Sequence, residues 1–134
     1  MNNKKFFLSW LAVYITIFVC DGIFHGKILS GLYEQTAQMW RPKAEMNQFL
    51  PWMMLGTLVW SGAFSYLFLT GCYGKGPGAG MRFGVLIGLL FAAHNSIMYA
   101  VAPYPASLSM SWAVGGIIES GIAGAVLGLI NKPT

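Results

Sequence analysis

Charge is scarce in this chain. Only 9% of its 134 residues are Asp, Glu, Lys or Arg, where a water-soluble domain carries about 25%. A chain that is 56% hydrophobic and so poorly charged would expose far too much apolar surface in water, which excludes a soluble fold. No block of basic residues occurs, and the net charge of +4 is scattered, which excludes a nucleic-acid surface. A nucleotide loop is absent too. The glycine-rich stretch Gly71 to Gly80 lacks a Gly-Lys-Ser/Thr ending, and Met81 stands where a dinucleotide fingerprint wants its last glycine. That stretch reads as a flexible hairpin. The two cysteines, Cys20 and Cys72, fall in different apolar runs near opposite ends of the bundle. Buried thiols are expected rather than a disulfide.

What the chain has is long hydrophobic runs. Spanning a bilayer takes about 20 apolar residues, and the sequence supports spans over about 6–29, 49–70, 81–101 and 107–130. The expected fold is an all-α integral membrane protein, one membrane domain over residues 1–134. It is a four-transmembrane-helix bundle with a short interfacial helix between spans one and two. The first run, led by Lys4 and Lys5, has the look of a secretory signal. Phe18 and Val19 precede Cys20 where a cleavage site wants small residues, so a retained helix is expected. Lys4, Lys5, Lys75, Arg82 and Lys132 lie on one side of this topology, against Lys27, Arg41 and Lys43 on the other. That bias places both termini in the cytoplasm.

Ionisable groups within the spans are costly in hydrocarbon unless they face the bundle interior and find partners. Asp21 and His25 are four residues apart and share a helix face late in span one. Span three carries His94 and Asn95, and span four carries Glu119. In this topology Asp21, His25 and His94 lie at similar depth, with Glu119 deeper, near the midplane. The expectation is an intramembrane polar cluster of Asp21, His25, His94, Asn95 and Glu119, with Trp60, Tyr99 and Trp112 as neighbours. Three readings compete for it. The groups satisfy one another and fix helix register. They hold haem or a transition metal through His25 and His94, with carboxylates in support. Or they form a proton or small-solute path. A catalytic set cannot be argued from the spacing, and no cofactor is required by it.

Gly84-x-x-x-Gly88 in span three and Gly124-x-x-x-Gly128 in span four offer close helix packing, either within the bundle or against another subunit. Between spans one and two, Leu32, Tyr33, Thr36, Met39 and Trp40 recur at helical spacing. Tyr33, Trp40, Arg41 and Glu45 are expected to anchor at headgroups, to cap the polar cluster, or to touch a partner. Arg41-Pro42 ends this segment, and Pro42 or Pro51 can begin the next helix.

Asp21-x-x-x-His25-Gly26, then Leu32-Tyr33, Trp40-Arg41-Pro42 and Glu45-Met46, with Trp112 and Glu119 in the last span, resembles a group of small four-span bacterial membrane proteins. The resemblance covers nearly the whole chain. It implies the bundle and a bacterial inner (cytoplasmic) membrane, and it implies no activity. The functional expectation is a small non-catalytic accessory or scaffolding subunit that meets lipid and other membrane subunits, or itself, through its glycine-bearing helices. A haem- or metal-binding protein using His25 and His94 is the alternative, and an oligomeric transporter of protons or a small solute a further one.

Overall fold

In the computed structural model, which describes residues 2–71 and 75–132, all regular structure is helical. Helix α1, Asn3–Ile23, continues as a π-helical turn, Phe24–Ile28. A short α2, Ser30–Gln35, and a 3-10 turn, Ala37–Met39, follow. The long helices α3 (Lys43–Thr70), α4 (Pro77–Val101) and α5 (Ala106–Ile130) complete the chain. Four segments are long and apolar enough to cross a membrane: Asn3–Ile28, Lys43–Thr70, Pro77–Val101 and Ala106–Ile130. The protein is a multi-pass helical membrane bundle.

Local chemistry sets the helix ends. The Asn2 side chain accepts from the Lys4 N–H at 3.0 Å and caps α1. Pro42, not Pro51, precedes α3, so the second span starts at Lys43 rather than near Phe49. Pro51 lies inside the helix, where its missing N–H leaves the carbonyl four residues back without its usual partner. At 28 residues, α3 is about 42 Å long at a rise of 1.5 Å per residue. That exceeds a hydrocarbon core of about 30 Å, and its polar first turns extend beyond the apolar layer. Helix α4 begins at Pro77 rather than Met81. Gly76 makes the turn with φ of 87°, a conformation open to glycine, and Pro77 occupies the first helical turn.

Two helical hairpins build the bundle. In the second, α4 and α5 touch backbone to backbone. A Cβ on Gly84 would strike the Ser120 carbonyl, one on Gly80 the Gly124 carbonyl, and one on Gly88 the Ile117 backbone. Gly124 meets Gly80 in return, and Gly128 meets Gly76 and Pro77. The glycines offered as a docking face for another subunit are therefore occupied inside the chain. Asn95, buried in the same seam, donates from Nδ2 to the Ser109 carbonyl at 2.7 Å and to its Oγ at 3.1 Å.

In the first hairpin, α1 lies along α3. The Trp10 indole donates to the Leu58 carbonyl at 2.8 Å, and its ring covers Gly62. Val13, Ile17, Phe64, Phe68, Phe83, Ala123 and Leu127 form the core between hairpins. There α3 meets α4 through the ring contacts of Phe83 with Phe64 and Phe68, at 4.8 and 5.4 Å. The other half of α3 is uncovered: every residue from 41 to 56 is exposed. Asn131 Nδ2 donates to Ser9 Oγ at 3.1 Å, which ties the end of α5 to the start of α1. The start of α1 and the end of α5 thus lie at one end of the bundle, and Asp21 and His25 lie toward the other.

Candidate functional site

Asp21, near the end of α1, and His25, in the π turn that continues it, bring Oδ1 and Nε2 to 3.6 Å. Glu119 reaches them from α5. One donor atom from each of Asp21, His25 and Glu119 lies within 4.8 Å of the others. Glu119 is therefore level with the pair, not below it. His25 sits in the π turn, where the Leu29 N–H donates to the Phe24 carbonyl five residues back at 2.9 Å. Such turns recur at functional sites because they insert one extra residue and re-aim the side chains around it. Glu119 Oε1 is buried and has no hydrogen-bond partner among the described residues. An unmet carboxylate oxygen in such surroundings is destabilising.

The three groups stand at the polar end of a cleft of about 420 Å³. Ile17 of α1, Phe24 of the π turn, Gly56, Thr57 and Trp60 of α3, Phe91 of α4, and Trp112, Gly116 and Ser120 of α5 supply its walls. Tyr33 of α2 lines it as well. The Tyr33 hydroxyl lies 2.6 Å from His25 Nδ1 and receives the Trp112 indole N–H at 2.8 Å. Indole nitrogen only donates, so the Tyr33 oxygen accepts from Trp112 and its own proton is free for His25. With that proton on Nδ1's lone pair, the neutral ring carries its hydrogen on Nε2, which faces Asp21. Burial pushes the Tyr33 phenol above its ordinary pKa; the Trp112 hydrogen bond pulls it down, and the Asp21 and Glu119 carboxylates push it further up. The phenol is thus neutral at physiological pH. A raised folded-state pKa also means that its contribution to stability is complete below the unfolded value and disappears as pH rises through the folded one.

Tyr33 is held by an aromatic cap. Trp40 donates to Thr36 Oγ1 at 2.8 Å, lies edge-on to Tyr33 and Trp112, and stacks on Tyr104 of the turn between α4 and α5. The segment between spans one and two therefore covers the polar cluster. Its stripe of Tyr33, Thr36 and Trp40 was readable from spacing; the direct hold of Tyr33 on His25 was not. Replacing Tyr33 with phenylalanine would leave the Trp112 N–H and His25 Nδ1 without this partner. The expected result is an upfield shift of the Trp112 indole proton and a change in the His25 tautomer in ¹⁵N NMR spectra. Spectra identical to the wild type would remove Tyr33 from the network.

Other expected members lie elsewhere. His94 is exposed on α4 and does not line the cleft, so the expected convergence of His25 with His94 does not occur. Hydropathy cannot rotate a helix whose faces are all apolar. Asn95, one residue on, is turned inward to Ser109 instead. Tyr99 is exposed, whereas Trp60 and Trp112 do line the cleft. The Arg41 guanidinium lies 4.2 Å from the centre of the Phe49 ring, and Glu45 is exposed. Cys20 is a half-buried free thiol, and Cys72, with its expected lack of a disulfide, lies outside the described residues.

Comparison of the chain with family profiles, curated proteins and solved structures gave no match.

Proposed function

We propose that Asp21, His25 and Glu119 hold a divalent first-row transition metal ion within the membrane. The observation that carries this reading is the convergence of one imidazole and two carboxylates, one of whose oxygens is buried without a partner. This mixed donor set suits ferrous, manganous or zinc ions. Three protein ligands leave further coordination positions toward the cleft. To ligate through Nε2, His25 must shift its proton to Nδ1; the Tyr33 hydroxyl then turns its own proton away and accepts from Nδ1, the usual support of a ligating histidine. Haem is the weaker option, because axial ligation by His25 and His94 needs rings that face each other.

Metal analysis of protein purified from membranes supplied with iron, manganese and zinc tests the reading. About one ion per chain is expected, lost in His25→Ala and kept in His94→Ala. Wild-type metal content no higher than that of His25→Ala would sink it.

A second reading, an accessory subunit of a larger membrane complex, is favoured by His94. Its exposed ring on a lipid-facing helix calls for a partner from outside the chain. A fixed co-purifying subunit released by His94→Leu is the expected result, and an unchanged, isolated protein rejects it. In either case the positive residues favour cytoplasmic termini, and the resemblance favours a bacterial inner membrane.

A further inference from the structure

The metal position fills only one corner of the cleft. The rest of its volume is walled by the rings of Phe24, Trp60, Phe91 and Trp112. Its walls come from both hairpins, and the lining residues that are exposed mark its mouth. Gly56 and Phe91 both line the cleft and are both exposed, and each lies near the middle of its helix. Side chains on the neighbouring turns are apolar and exposed: Trp52 and Met53 on α3, Leu90 on α4. A mouth at mid-helix with an apolar rim opens onto hydrocarbon rather than water.

We propose that this cleft takes a lipid-dissolved phenol sideways from the bilayer, its ring between Trp60, Phe91 and Trp112 and its hydroxyl at Glu119. The dimensions fit: small-molecule sites occupy roughly 300–1,000 Å³ and combine apolar walls with a few placed polar groups. Aromatic walls favour a flat aromatic body through offset or edge-on ring contacts. The unpartnered Glu119 Oε1 calls for a donor, and a phenolic O–H supplies one. With the proposed ion in place the same oxygen reaches an open coordination position. An ammonium head is disfavoured there, because the ion already neutralises the carboxylates. The ring's place rests on the cleft alone; only the metal–oxygen contact rests on the proposed ion.

The test is binding of a tritiated 4-alkylphenol to the full chain in phosphatidylcholine vesicles, with uptake by empty vesicles subtracted. Saturable binding of one molecule per chain is expected. Gly56 lines the cleft and nothing lies within 4 Å of a Cβ built on it, so Gly56→Phe adds a ring beside the mouth without a clash at its Cβ. It should weaken binding about tenfold or more while leaving metal content intact. Replacing the probe with the matching alkylbenzene should abolish saturation. Metal-loaded protein that takes up phenol only in proportion to lipid overturns the proposal. So does equal binding by Gly56→Phe, by the alkylbenzene, or more tightly by an alkylamine. Saturable phenol binding to chelator-treated protein that never held metal would retain the cleft and reject the ion instead.

Discussion

Replacing Gly84 with valine should lower the stability of the bundle by about 3 kcal/mol and loosen the pairing of its last two helices. The reason is geometric. A Cβ at this position meets the Ser120 carbonyl and the Gly121 Cα, both backbone atoms of α5. Side chains can change rotamer to admit a new methyl group, but a helix backbone moves only as a unit. The strain would spread to Gly80 with Gly124 and to Gly88 with Ile117, the other close approaches along the same seam. It would also lengthen the Asn95–Ser109 hydrogen bonds. Reversible unfolding in mixed micelles measures the effect, with Gly56→Ala as the control, because that position borders open space. A Gly84→Val midpoint equal to that of the control would show that α4 and α5 do not approach so closely.

Glu119→Gln should reduce affinity for the proposed ion at least about a hundredfold, since it removes a ligand rather than a supporting group. The substitution keeps shape and removes one negative charge. A neutral amide oxygen is a poorer ligand for a divalent ion, and it leaves Asp21 as the only carboxylate beside His25. The stability of the apo protein should hold or rise, because the amide places a neutral group where a buried carboxylate oxygen has no partner. Opposite signs in metal affinity and apo stability would separate a ligand from a structural polar group. Titration calorimetry with manganese or zinc, paired with unfolding of the metal-free protein, reads both. Glu45→Gln, on the exposed start of α3, should alter neither, and a Glu119→Gln affinity equal to it would remove Glu119 from the site.

Hydropathy alone supplied the four spans, because crossing a membrane forces long apolar helices. Two starts shifted: Pro42 caps the second span while Pro51 sits inside it, and Pro77, expected in the turn, opens the third. The site was half legible. Asp21 and His25 follow from spacing four along one helix, and Glu119 from being the carboxylate of the last span. His94 was misplaced, because an apolar helix in lipid has no amphipathic face to reveal its rotation. The glycine pairs posed the same difficulty: small residues permit close approach, and only the fold shows that the approaching helix belongs to the same chain. Tyr33 lay in a recognised stripe, but its reach to His25 depends on the π turn and on the path of α2.

The seam between the hairpins has a consequence for assembly. Asp21 and His25 belong to the first hairpin and Glu119 to the second. Neither half of the chain contains the site, which forms only when the halves dock. An ion bound there would act as a clasp. Its binding free energy would add to that of the native bundle by mass action, increasing with the logarithm of free ion concentration once the site is largely filled. Until the last helix arrived during synthesis, the first would carry its carboxylate and imidazole in lipid without this third group. Metal supply would then govern how much of the newly made chain persists, and a membrane poor in the ion would hold loosely joined halves open to proteolysis.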